Sequence, residues 1–240
     1  MVIALAITGP SSAAAVIYTY RGTISGVFDW DGTAFGGAIA PGDAFTAVFT
    51  REDKPGATQF YNGPPYGASY ISGEGIDNPV SGKLTVGSLS FDIGQVKSPD
   101  FSQGMQYQDH ISDHTYEGFK FQTYDSSDYD NGVIKGGNYH YLYVEAESRG
   151  SNWLKSSDYH DLGSLSVAKN PGFVWIGQYY FGELAYEIST GNVTVNRQGI
   201  LDFSLTSLTV GVPEPTTWAL MIGGFGIAGA MLRRRRGAPA

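Results

Sequence analysis

The sequence predicts an all-β protein, an antiparallel β-sandwich or jelly roll followed by a single C-terminal transmembrane helix. Three observations predict it. Aromatic residues make up 14% of the chain, led by 16 tyrosines, and glycine is abundant at 33 residues; tyrosine, threonine, valine and glycine turns are the composition of strands. Apolar side chains alternate with polar ones over short runs, and no stretch of the body has a helical period. The run Thr216 to Leu232, close to the C-terminus, is apolar and carries no charge.

The strands follow in order. Val16 to Phe28 is rich in β-branched and aromatic residues. Phe45, Ala47 and Phe49 alternate with Thr46, Val48 and Thr50, the pattern of a half-buried strand. Leu84 and Val86 share one parity and Leu89, Phe91 and Ile93 the other, so Gly87-Ser88 marks a bulge or tight turn. Phe119, Phe121 and Thr123 alternate, as do Tyr139, Tyr141 and Tyr143 against Leu142, Val144 and Ala146. Tyr179 to Ile188 and Val193 to Val195 flank Thr190-Gly191-Asn192, a hairpin signature. Leu201, Phe203 and Leu205, then Leu208 and Val210, close the body. The stretches 53–79 and 94–115 read as long irregular loops.

Composition excludes several classes. Cysteine is absent, which removes disulfides, thiolate metal sites and cysteine nucleophiles. Net charge is −8, and four of the 15 basic residues are the run Arg233 to Arg236. An acidic body without a basic patch argues against a nucleic-acid partner.

Both ends read as processing segments. Residues 1–15 begin with an apolar stretch and end in small residues, with Ala13 and Ala15 placed for signal-peptidase cleavage before Val16. No positive n-region precedes the stretch, so the expectation is a truncated leader or a start further upstream. At the other end, Pro213-Glu214-Pro215 stops regular structure. The run 216–232 follows, about 25 Å long as a helix and just enough to span a thin bilayer. Trp218 sits where a ring prefers the headgroup region, and Arg233, Arg234, Arg235 and Arg236 stay on the cytoplasmic side. Residues 237–240 read as a disordered end, and 16–212 as one ectodomain outside the inner membrane.

Pro213-Glu214-Pro215, the Trp218-Ala219 pair, the short apolar run and the terminal arginines occur in order and at the expected spacing. This tail resembles the PEP-CTERM sorting domain of Gram-negative bacteria, in its PEPxxWA subtype. The resemblance implies an exosortase as partner, recognition of Pro-Glu-Pro, cleavage near it, and delivery toward the surface or an exopolysaccharide-rich matrix. It covers only the tail.

Asp125, Asp128, Asp130 and Asn131 precede Gly132, and hard oxygen ligands so close together suit Ca²⁺. The plainer reading is a solvated turn, because these residue types form turns. Asp29 and Asp31 are a weaker pair of the same kind, read as a hairpin turn. The repeat Asp109-His110, Asp113-His114 lacks the glutamate of a zinc-protease helix and reads as a surface loop. His140 and His160 read as packed or exposed strand residues. Trp153 and Tyr66 are candidate ligand-binding aromatics, since aromatic faces stack on sugar rings; Trp175 reads as core. Glu145 and Glu147 share one strand, whereas a retaining carboxylate pair usually comes from different elements. No nucleophile elbow occurs. The expectation is an exported, non-enzymatic envelope or matrix protein with no obligatory cofactor. A carbohydrate-binding, lectin-like module, with or without Ca²⁺, is the alternative, and a polysaccharide hydrolase is the third reading.

Overall fold

The computed structural model describes residues 15–62, 66–94, 101–111, 117–148 and 173–211. The strands are β1 (Val16–Asp29), β2 (Ala44–Arg51), β3 (Thr58–Asn62), β4 (Tyr66–Glu74), β5 (Val80–Val86), β6 (Leu89–Ile93), β7 (Phe101–Ile111), β8 (Glu117–Asp130), β9 (Ile134–Ser148), β10 (Phe173–Glu187) and β11 (Val193–Gly211). One 3₁₀ turn, Gly75–Asp77, precedes β5. The all-β expectation holds.

The two-sheet expectation does not. Hydrogen bonding runs unbroken through one 11-stranded sheet, in the order β3-β4-β7-β8-β9-β10-β11-β1-β2-β5-β6. Every neighbouring pair is antiparallel. The reason lies in β1, which pairs with β2 along one side and with β11 along the other. That double pairing joins the N-terminal strands to the β7–β11 meander where a sandwich would break into two sheets.

The sheet must roll, and connection lengths say so. In a flat sheet of this order β2 and β3 would stand about 38 Å apart at the usual strand spacing. The connection 52–57 reaches at most about 25 Å. Connection 75–79, between β4 and β5, faces the same deficit. The sheet closes the gap by folding β5 and β6 over β7, β8 and β9. Two bulges help to bend the long strands, at Arg21/Gly22 and Ile24/Gly26 in the β1–β11 register.

The core fills the roll. Tyr18, Tyr20 and Ile24 of β1 alternate inward and meet Phe45, Ala47 and Phe49 of β2, Leu84 of β5, Ile93 of β6, Phe121 of β8, Leu142 and Val144 of β9, Tyr179 of β10 and Leu201 of β11. The Tyr18 and Phe121 rings touch across the layers, centroids 4.2 Å apart, and Phe49 meets Phe121 at 5.7 Å. Gly82 lets β5 approach closely: a Cβ there would lie 2.7 Å from Thr123 Cγ2 and 3.0 Å from Leu142 Cδ2.

Other expectations are corrected in detail. The stretch 53–79, read as a loop, holds β3 and β4, and 94–115 holds β7. The closing segments after Val193 form one 19-residue strand, β11. Gly87 has φ 57° and makes a tight turn between β5 and β6; Gly191, at φ 70°, turns β10 into β11 as the hairpin signature predicts. Among the described residues no helix is long and apolar enough to cross a membrane. The expected helix 216–232, residues 1–14 of the expected leader 1–15 and the end 237–240 lie outside the described residues.

Phe121→Ala removes the ring on which both layers pack. We expect it to cost about 3–5 kcal/mol, read as a lower urea midpoint at unchanged slope; a loss below about 1 kcal/mol would mean that the layers do not meet at this ring.

Candidate functional site

Strands β8, β9 and β10 send one parity into the core and the other outward. Phe121, Thr123, Leu142, Val144 and Tyr179 are buried, so Gln122, Tyr124, Tyr139, Tyr141, Tyr143, Gln178 and Tyr180 share the opposite face. The register sets them side by side. Tyr143 lies between Gln122 and Gln178, and Tyr141 between Tyr124 and Tyr180. The result is a tyrosine- and amide-rich outer face.

Hydrogen bonds hold this face in place. Tyr139 Oη donates to Tyr180 Oη at 2.9 Å, and the two rings stack with centroids 5.2 Å apart. Tyr143 Oη donates to Gln178 Oε1 at 3.0 Å, and Gln178 Nε2 donates to Asp202 Oδ1 at 2.7 Å. Tyr141 Oη donates to Gln122 Oε1 at 3.2 Å. Lys120 Nζ stands 5.1 Å from the centre of the Tyr143 ring and 3.9 Å from Glu145. Partial burial pushes the Tyr141 hydroxyl up to about 12, with help from Tyr143 and Glu145. Burial first, then the Tyr180 hydrogen bond, raises Tyr139; burial, Glu145 and Asp202 raise Tyr143. These three hydroxyls are therefore neutral donors at physiological pH.

At the hairpin end the face opens into a cleft of about 370 Å³, lined by Tyr124, Ser126, Asp128, Lys135, Tyr139, Leu184 and Tyr186 around Gly136-Gly137. Gly137 sits between Asp128 and Leu184 in the cross-strand register. Gly182, opposite Tyr139, matters equally: a Cβ there would come within 2.2 Å of the Tyr139 ring, so only glycine lets that ring lie across β10.

On the inner side, His140 Nδ1 and Tyr179 Oη are 2.7 Å apart, and Asp125 faces His140 across the β8–β9 ladder. Phe91 packs on Tyr179 and Phe181 on His140. Burial lowers the His140 pKa below 6.5 and raises that of Tyr179, to which Asp125 adds. His140 is thus a packed strand residue.

The structure places the sequence candidates as follows. Asp125, Asp128 and Asp130 lie within β8 rather than in a loop, because strand pairing continues to Asp130↔Lys135. Asp125 has the inward parity and its Oδ2 accepts from the Gly94 N–H at 2.9 Å. Asp128 and Asp130 have the outward parity. Asp130 Oδ1 accepts from Gly132 N–H, and Asn131 Oδ1 from Val133 and Ile134 N–H. The four are therefore not brought together, and among the described residues no group of three carboxylate or imidazole side chains is placed to share a metal. Asp29 and Asp31 accept from backbone N–H groups of residues 33–35 and hold the β1–β2 connection. Asp109 and His110 belong to β7, a strand instead of the expected loop. Tyr66 begins β4, and Trp175 lies in β10. The side chains of Tyr66 and Trp175, and all of Ala13, Asp113, His114, Trp153, His160, Pro213, Glu214, Pro215, Trp218, Ala219 and Arg233–Arg236, lie outside the described residues. The tyrosine face was missed as a site. Its signal was tyrosine at every second position beside Gly136-Gly137, but only the register reveals the neighbours.

β11 ends at Gly211, opposite Ile17 of β1. From that residue on, 211–236 match the family described as the PEP-CTERM protein-sorting motif. The C-terminal tail is a PEP-CTERM sorting motif. The PEP-CTERM match begins at the last residue of the last strand, so the sorting signal is joined to the folded sheet without an intervening domain. No curated protein and no solved structure matches the chain.

The depressed His140 pKa has a consequence for stability. Its contribution is complete above pH 6.5 and is lost as pH falls through the depressed folded value, because the unfolded chain binds the proton first. We expect the urea midpoint to fall between pH 7 and pH 5, and less so in His140→Gln; equal slopes in both proteins would remove His140 as the source.

Proposed function

We propose that the chain is an exported cell-envelope or extracellular-matrix protein, sorted and cleaved by an exosortase, with a non-catalytic β-sheet body. The observation that carries this reading is the sorting motif at 211–236. The inner membrane holds the precursor through the run 216–232, and the body faces away from the cytoplasm. Release then passes it to the surface or to an exopolysaccharide-rich matrix.

A second reading, that the body binds carbohydrate, is favoured by the tyrosine face. Tyrosine offers a large, stiff, amphipathic surface at low entropic cost. Neutral hydroxyls and amides, with the carboxylates of Asp128, Glu145 and Asp202 beside them, match a ligand made of hydroxyls and C–H faces. Hydrolysis has less support. Asp128 is the one carboxylate among the described residues lining the cleft, and glycoside hydrolysis ordinarily needs a flanking pair.

Processing is read from intact mass. Protein from the outer and extracellular fractions of the native host should lack Arg233 to Arg236 yet retain the chain through Gly211, since β11 is paired with β1 to that residue. A protein in those fractions that keeps all four arginines would sink the processing reading.

A further inference from the structure

We infer that the cleft around Gly137 is the subsite that seats one sugar ring of a neutral polysaccharide, with the tyrosine row beyond it carrying the following rings. The inference rests on the carbohydrate-binding reading and names its site and ligand class.

The cleft, about 370 Å³, is at the small end of ligand pockets, which span roughly 300–1,000 Å³. A side chain at Gly137 would place its Cβ 2.5 Å from Asp128 Oδ1, so glycine both floors the cleft and keeps that carboxylate where it is. Gly182 does the same for the Tyr139 ring. The two glycines lie on neighbouring strands, Gly137 under the Asp128 carboxylate and Gly182 under the ring of Tyr139.

Tyr139, Tyr186 and Leu184 give apolar surface for the C–H face of a ring, while Ser126, Asp128 and Lys135 give hydroxyl, acceptor and donor for its edge. One acid and one base leave the cleft without net charge, in a chain of net charge −8. A polyanion gains nothing here from long-range attraction, and a neutral chain loses nothing. Tyr139 is already bonded to Tyr180, so its ring is held in place before a ligand arrives, which lowers the ordering cost of binding. Tyr124 and Tyr139, which line the cleft, lead along the face to Tyr141, Tyr180 and Tyr143, and an open track of this kind fits a polymer better than a single small molecule.

The test is affinity electrophoresis of the full chain, solubilised in a polyoxyethylene detergent that carries no sugar headgroup. Gels contain dextran, laminarin, galactomannan, or the neutral fraction of the host's own extracellular polysaccharide, with alginate as the polyanion. We expect retardation by at least one neutral polymer and none by alginate. Gly137→Leu and Asp128→Ala should each weaken it tenfold or more, while Tyr61→Ala, on exposed edge strand β3, leaves it unchanged. Asp128→Ala only trims an exposed side chain and carries the test if Gly137→Leu does not fold. Retardation that survives both cleft variants overturns the subsite but keeps the carbohydrate reading. Retardation by alginate alone overturns the neutral ligand. No retardation by any polymer, with tyrosine near-ultraviolet dichroism intact, overturns subsite and carbohydrate reading together and leaves the sorting reading to the mass measurement.

Discussion

The ladder between β1 and β11 holds the molecule together. It pairs the first strand with the last from Ile17↔Gly211 to Asp29↔Gly199. Remove it and the remaining pairs separate into an N-terminal group, β1-β2-β5-β6, and a group of β3, β4 and the meander β7–β11. Each would expose the face it buries now. Tyr18 and Tyr20 from one group pack against Phe121 from the other, so the core exists only when the seam is closed. The bulges sit in this ladder, where bending is needed. At Gly22 even a Cβ would collide with the Ser204 carbonyl, at 2.0 Å, and Thr206 Oγ1 bonds the Arg21 carbonyl beside it.

Strands β8 to β10 serve two surfaces at once. Inward parity supplies Phe121, Leu142, Val144 and Tyr179 to the core; outward parity supplies the tyrosines and amides. A rigid sheet fixes side chains more tightly than a loop can. The same alternation keeps His140 among aromatic rings and its neighbours Tyr139 and Tyr141 on the other face. Tyrosine suits both environments because its ring packs and its hydroxyl bonds, and burial keeps that hydroxyl neutral in each.

Much of this was legible in the sequence, and the omissions have physical reasons. Phe45, Ala47 and Phe49 announce β2 because one face is buried and the other is not. The same holds for β9. β4 and β7 escape notice because glycine and polar residues occupy both parities, as in Phe101-Ser102-Gln103-Gly104. β11 reads as fragments because Asn196, Arg197 and Gly199 interrupt its apolar pattern, yet pairing on both sides carries it through. Strand partners are the hardest to see. Alternation tells which residues face inward but not which strand lies beside which, so one rolled sheet and a two-sheet sandwich look alike. The tail was legible because its parts are adjacent in the chain. The cleft was not, because β8, β9 and β10 each contribute to it.

The seam also sets an order of events. Export delivers a chain from its N-terminus, so β1 emerges first and can pair early with β2. Its other edge has no partner until β11 follows, nearly 200 residues later by the register Ile17↔Gly211. Pairings between such distant segments form slowly, because the loop must close before any contact rewards it. During that interval β1 presents an open edge of β-branched and aromatic residues, the kind that recruits other strands. The fold is therefore completed only as the residues next to the sorting motif come through. Gly211, which closes the seam against Ile17, is also the first residue of the sorting motif, so the end of the fold and the start of the signal are one residue.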